Sequence, residues 1–151
     1  MLKNLKNNKK KGFTLVELIV VLVILAILAA LLIPALTGYI DKAKNKSVVA
    51  ETRQAVMAAQ TLVDETYAKK PSGTAITMGT DVTYDAIKKL AEVDGTVSET
   101  TLYTDDTNGK LNKVKTLTYT NGNKKCVYSE DKTNGSDGHY NVTTVSNTTG
   151  S

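Results

Sequence analysis

The sequence predicts an α+β chain: one long N-terminal α-helix, apolar through its first half, packed by its second half on a small antiparallel β-sheet of about three or four strands. Three observations predict this. An unbroken apolar run, Leu18 to Leu36, follows a lysine-rich start; apolar residues then recur at three- and four-residue steps from Ile40 to Tyr67; and after Gly95 period-two alternation punctuated by turn residues takes over. With 151 residues, 5% aromatics and no tryptophan, the chain has material for one modest core. The segments so defined are 1–12, 13–36, 37–70 and 71–151.

The charge belongs to the first of these. Residues 1–12 carry five lysines (Lys3, Lys6, Lys9, Lys10 and Lys11) and no acid, whereas the rest of the chain is close to neutral, so the overall net charge of +4 is no sign of a nucleic-acid surface. The single cysteine, Cys126, excludes an intrachain disulfide, and no paired metal-ligand spacing occurs.

The apolar run is long enough to cross a bilayer. As a helix Leu18–Leu36 would span roughly 28 Å, near the hydrocarbon thickness. Apart from Ala26, Ala29 and Ala30, every residue from Leu18 to Ile33 is Leu, Ile or Val. Together they favour insertion by about 4 to 8 kcal/mol, more than one acid near the end of the run, Glu17, takes away. Lysines just ahead of the run favour a cytoplasmic N-terminus, although Lys42, Lys44 and Lys46 beyond it soften the asymmetry.

The helix is expected to continue outward. Val48, Thr52, Ala55, Val56, Ala59, Leu62, Val63 and Thr66 share one face, and Lys69-Lys70-Pro71-Ser72-Gly73 supplies the stop signal. From Phe13 to Lys69 this makes a rod of about 85 Å. Pro34 lacks the amide that would bond the Ala30 carbonyl, so a bend is predicted there, with Gly38 adding slack one turn later.

Thr83 to Val93 predicts a short helix capped by Thr83, with Tyr84, Ile87, Leu90 and Ala91 on its apolar side. Strands are predicted at Lys113–Thr120, Lys124–Ser129 and His139–Val145, separated by Asn121-Gly122 and by the turn sequence NGSDG at 134–138. Alternation places Leu117 with Tyr119, Cys126 with Tyr128, and Tyr140 with Val142 on one face. That face needs a helix to cover it, because three short strands alone are marginal. A free tail is expected after Val145.

Nothing in the residue pattern points to catalysis, and no cofactor or metal is expected. Asp105-Asp106-Thr107-Asn108-Gly109 begins like a calcium loop, but Thr104 and Lys115 stand where such a loop needs acids, so it reads as a turn. Cys126 reads as a small buried hydrophobe and His139 as a turn or strand-start residue. The Asn-X-Ser/Thr tripeptides at Asn45, Asn134, Asn141 and Asn147 are common by chance in a threonine-rich sequence.

The stretch GFTLVEL, Gly12 to Leu18, resembles the type III leader of type IV pilins and their pseudopilin relatives. The resemblance covers the short basic leader ending in Lys9, Lys10 and Lys11, glycine before the cut, phenylalanine as the first mature residue, glutamate at the fifth mature position, the long apolar helix and Pro34. A secretory signal peptide would need a shorter apolar core and a small-residue cleavage site. The resemblance implies that a membrane prepilin peptidase cuts between Gly12 and Phe13 and methylates the new Phe13 amine. It also implies the pilin fold, with Glu17 paired to a neighbour's Phe13 amine to set recruitment and register in a helical filament of identical subunits. The further partners it implies are minor pilins, an inner-membrane platform protein and extension and retraction ATPases, acting indirectly. The precursor would be a single-pass protein of the cytoplasmic membrane and the product an extracellular pilus.

The cut has a physical reason. While the leader remains, packing that buries residue 13 drags lysines toward hydrocarbon, at about 2.5 to 3.5 kcal/mol each at mid-membrane depth. The function that the resemblance implies is a structural pilus subunit serving adhesion, aggregation or biofilm and twitching motility. The alternatives are a pseudopilin of type II secretion or of a competence-type pilus, and a monomeric membrane-anchored binding protein. Absence of tryptophan and of a calcium loop points away from the major pseudopilins. The lone cysteine cannot close the C-terminal disulfide of many Gram-negative pilins, so a Gram-positive, clostridial-type source is expected. Family members often carry a glycine in the turns before the proline, which Val23–Ile33 lacks, so local unwinding there is not expected from this sequence.

Overall fold

The computed structural model describes residues 11–131 and 138–146. The chain divides into two units, one ending at Ile40 and the other beginning at Asp41. Helix α1, Leu15–Tyr67, contributes to both.

Among the described residues of the first unit α1 is the only regular element, and its large side chains face outward on all sides. From Leu15 to Ile33 each Leu, Ile and Val is at least 50% exposed. A helix that is apolar around its full circumference has no solvated face, so its stable setting is lipid or other apolar helices. The helical assignment runs through Pro34 without a break, and the Thr37 hydroxyl donates to the Pro34 carbonyl at 2.9 Å.

The second unit is a helix-on-sheet layer. Its α1 residues, Asp41–Tyr67, present Val48, Val49, Thr52, Ala55, Ala58, Ala59 and Val63 to the interior. Ala55 and Ala59 are fully buried, and their small size lets the helix backbone lie close to the sheet. The periodic face read from the sequence holds, with Val49 and Ala58 added to it. Thr52 sits in this apolar stripe because its hydroxyl is spent on the Val48 carbonyl, 2.7 Å away. The helix ends at Tyr67, whose hydroxyl accepts from the Gly73 amide at 2.9 Å.

Helix α2 spans Tyr84–Ala91, with the Thr83 hydroxyl accepting from the Ala86 amide. It closes at Glu92, which takes a left-handed conformation (φ 53). Ile87 and Ala91 are buried and Tyr84 packs against the core, but Leu90, expected on the same side, is 49% exposed. Eight residues give α2 one narrow buried stripe, and Leu90 lies at its edge.

The sheet is β1 (Thr96–Leu102), β2 (Val114–Asn121), β3 (Lys124–Ser129) and β4 (Tyr140–Thr144), antiparallel throughout in that order. Three of the strands match the sequence expectation. The fourth, β1, does not follow from alternation because its register against β2 shifts between Ser98 and Thr101 and Glu99 lies at φ 47. The irregularity moves the inward parity from Val97 to Thr100 and Leu102. The β2–β3 turn is Gly122-Asn123, one residue later than expected, with Asn121 paired to Lys124 and Gly122 at the positive φ that short hairpin turns require.

Leu117, Tyr119 and Cys126 on the inner face are fully buried, and Tyr128, Tyr140 and Val142 pack against the same core. Burying a side chain such as Leu117 is worth about 1.5 to 3 kcal/mol. Three polar clusters tie the layers together. Glu51 of α1 accepts from the Tyr119 hydroxyl and the Asn121 amide group, while the same Tyr119 oxygen accepts from the Gly95 amide. Buried Asn112 accepts from the Ile76 amide and donates to the Thr74 carbonyl, and Gln60 of α1 bonds both the Asn112 carbonyl and the Val114 amide. Buried Lys124 donates to Asp41 at 2.7 Å and to the Thr144 hydroxyl at 2.9 Å.

Candidate functional site

The start of α1 is built from four residues. Thr14 precedes the first helical residue, and its hydroxyl accepts from the Glu17 amide at 3.3 Å. Glu17 returns the contact: its Oε2 accepts from the Thr14 amide at 2.8 Å and from the Thr14 hydroxyl at 3.0 Å. This reciprocal arrangement satisfies amides that the first helical turn leaves without partners, and it holds an acid where the helix dipole favours one.

The partner expected for Glu17 from the sequence is the amine released at Phe13; in the structure it is Thr14. The signal was present as Thr14-Leu15-Val16-Glu17, a threonine followed three residues later by glutamate. In the intact chain the Phe13 nitrogen belongs to a peptide bond and carries no charge, so Thr14 is the partner in this structure. Lys11, Gly12 and Phe13 lie ahead of the cap in an exposed stretch without regular secondary structure, with Phe13 84% exposed. Lys9 and Lys10 lie outside the described residues, as do Asn134, Asn147 and the tail beyond Ser146.

The bond between Gly12 and Phe13 is thus followed, within two residues, by an ordered helix start. A Cβ at Gly12 would meet nothing within 4 Å, so space in this chain does not demand glycine there; nor does it at Gly38. Pro34 lies inside α1, as the sequence indicates.

Elsewhere the candidates raised by the sequence have structural roles. Cys126 is fully buried on the inner sheet face. His139 Nδ1 lies 3.0 Å from the Ser129 carbonyl oxygen, and its ring is tilted against Tyr128. Asp105 accepts from the Thr107 amide at 3.1 Å, which makes the Asp105–Gly109 stretch a turn leading into a short 3-10 segment. Among the described residues no cluster of His, Cys, Asp and Glu could hold a metal ion.

An apolar helix opened by a polar cap, followed by a head in which the same helix covers an antiparallel sheet, defines a pilin-like protein. The prokaryotic N-terminal methylation motif matches residues 7–33, which include the second half of the leader, the cap and most of the apolar run. No curated protein and no solved structure matches the chain. The chain is therefore type IV pilin- or pseudopilin-like, with a prepilin methylation leader of the kind processed by a prepilin peptidase before assembly into pili. Such chains are normally structural subunits rather than enzymes. Among the described residues, α1 is the one helix long and apolar enough to cross a membrane, and with the leader it indicates membrane insertion and a surface location.

Proposed function

We propose that this chain is the structural subunit of a type IV pilus, polymerising through its N-terminal helix into a surface filament. The observation that carries the reading is the methylation motif at residues 7–33 running into a helix whose large side chains from Leu15 to Ile33 are exposed all round. Such a helix needs burial twice, first in lipid and then among copies of itself. The peptidase cuts between Gly12 and Phe13, removing the lysines of the leader, and the Phe13 amine is methylated. That amine becomes the nearest cation to Glu17 and to the Glu17 of an axially shifted neighbour. Pairing the two inside an apolar bundle offsets the cost of burying either alone, which sets recruitment and register. Thr14 supports this by holding the carboxylate at the helix start, facing the place where the amine appears. Pro34 and Gly38 are the positions at which the helix adjusts its curvature on packing.

The test has two parts. Intact-mass measurement on surface filaments is expected to find chains that begin at Phe13 with one added methyl group; chains that retain residues 1–12 would overturn the cut. Glu17→Ala is expected to enter filaments poorly, and normal incorporation would sink the pairing. Immunogold labelling against the head should decorate long filaments, whereas short wall-spanning structures would assign the chain to a pseudopilus and diffuse membrane label to an anchored monomer.

A further inference from the structure

The side of α1 facing away from the sheet carries no charge where a solvated helix face would carry several. From Ala43 to Thr61 the residues that fall in a sector roughly 100° wide at standard helical periodicity are Ala43, Ser47, Ala50, Gln54, Met57, Ala58 and Thr61. The charges of this stretch flank the sector: Lys46 and Arg53 on one side, Lys44 and Glu51 on the other. The buried stripe through Val48, Thr52, Ala55 and Ala59 lies about opposite, so apart from Ala58, which is buried at the sector's edge beneath α2, the uncharged sector is not part of the head's own core. In the sequence the same spacing reaches back through Ile40 to Leu36 in the apolar run.

At the outer end of this sector α1 and α2 form an open groove of about 300 Å³, lined by Gln54, Met57, Ala58, Thr61, Leu90 and Ala91. Met57 is 70% exposed and Leu90 49%. The Thr61 hydroxyl is spent on the Met57 carbonyl at 2.9 Å, so Thr61 offers the groove little polarity. Leu90, at the edge of the buried stripe of α2, borders this groove and is left half in solvent.

We infer that this groove receives the apolar N-terminal helix of a second copy of the chain. The occupant follows from what the chain has to offer. Among the described residues beyond Ile40 the exposed large apolar side chains are Met57, Leu90 and Val145; all the others belong to the stretch Phe13–Ile40. An uncharged groove selects an apolar partner, and among its described residues a second copy offers, besides the single side chain of Val145, another groove or its N-terminal run. Groove against groove is a self-complementary contact that closes as a dimer. Groove against run is a head-to-tail contact between unlike surfaces, and that kind propagates into a helical filament. The inference rests on the filament reading above and adds to it a contact made by the head rather than by the N-terminal helix alone.

A photo-crosslinking residue placed at Met57 of the full-length chain, with assembled filaments irradiated and the joined peptides sequenced, tests it. The expected product links position 57 to the segment 13–40 of another subunit. Crosslinks from position 57 only to head residues of another subunit, or none at all in filaments that do crosslink from a probe at Leu25, would overturn the groove assignment. Independently, Met57→Glu is expected to lower the yield of filaments on the order of tenfold, because a charge would be desolvated without a partner, while leader removal and the urea midpoint of the head stay unchanged. Wild-type yield with Met57→Glu would also overturn it. Failure of the unaltered chain to form filaments would instead count against the pilus reading, so the two failures are distinguishable.

Discussion

Tyr119 donates its phenolic hydrogen to the Glu51 carboxylate at 2.5 Å, joining residues 68 positions apart on β2 and α1. The same phenol oxygen accepts from the Gly95 amide at 2.8 Å, and Asn121 adds a second donor to Glu51 at 2.8 Å. Tyr119 is wholly buried. Burial and the neighbouring carboxylate both push its phenol well above its ordinary value, so it remains a hydrogen donor throughout the physiological range.

Tyr119→Phe keeps the ring and removes both bonds. The Gly95 amide then loses its acceptor and Glu51 a charge-assisted donor, for a loss of about 1.5 to 3 kcal/mol in head stability. Urea unfolding of the leaderless head against the same fragment with native Tyr119 measures it, and an unchanged midpoint would contradict the cluster's role.

Acid should weaken the head through Glu51. Burial alone would push this carboxyl up, but bonds from Tyr119, Asn121 and Ser47 outweigh it and hold it below its ordinary value of 4.5. A carboxyl depressed in the folded state contributes stability that is complete above the unfolded value and is lost as pH falls through the folded one. Asp81 adds in the same direction, lowered by its bonds from Lys70 and the Thr77 amide. The urea midpoint is therefore expected to fall between about pH 5 and pH 2, and less steeply in Tyr119→Phe, where Glu51 has lost a donor that lowers it.

Gly95→Ala tests a close approach. A Cβ there would run into the Thr120 carbonyl and the Tyr119 ring, neither of which can retreat from the core. The expected cost is about 1 to 3 kcal/mol, read as a lowered thermal midpoint. Gly12→Ala, where nothing lies within 4 Å, should leave the midpoint unchanged.

Asn112 combines a left-handed backbone, φ 62, with 3% exposure and bonds to Ile76 and Thr74. Asn112→Gly and Asn112→Ala lose the same side-chain bonds, but only alanine meets the steric cost of that φ. Alanine should be the worse of the two by about 1 kcal/mol in urea unfolding.

At the helix start, Thr14→Ala removes the two hydroxyl bonds of the reciprocal cap and leaves only the backbone amide of residue 14 donating to Glu17, whereas Thr14→Ser preserves the hydroxyl. Filament yield is expected to fall for alanine and to stay near wild type for serine. Equal yields for the two would show that the cap has no part in presenting Glu17.

Much of this was legible in the residues. The apolar run, the inner-face pairs Leu117 with Tyr119 and Cys126 with Tyr128, the Thr83 cap and the antiparallel hairpin follow from local periodicity, because a helix or strand imposes its spacing on whatever face is buried. Strand β1 was not legible, since the irregularity at Glu99 breaks the alternation that would reveal it. The Thr14–Glu17 cap is written in the sequence as a threonine three residues ahead of a glutamate, but the charge of Glu17 suits an amine as well as the neighbouring hydroxyl, and only the structure shows which it meets.

By itself, the sequence determined a helix that must be buried twice, a basic leader incompatible with that burial, and a head of helix and sheet. These are properties of composition and period, which need no knowledge of distant contacts. Tertiary structure alone decided that Glu51 meets Tyr119, that Gln60 and Asn112 stitch a loop to α1, and that Leu90 is left facing an open groove beside Met57. Each of these depends on where the chain returns after tens of residues, and a hydrogen bond or an exposed edge exists only once that path brings the partners together or fails to.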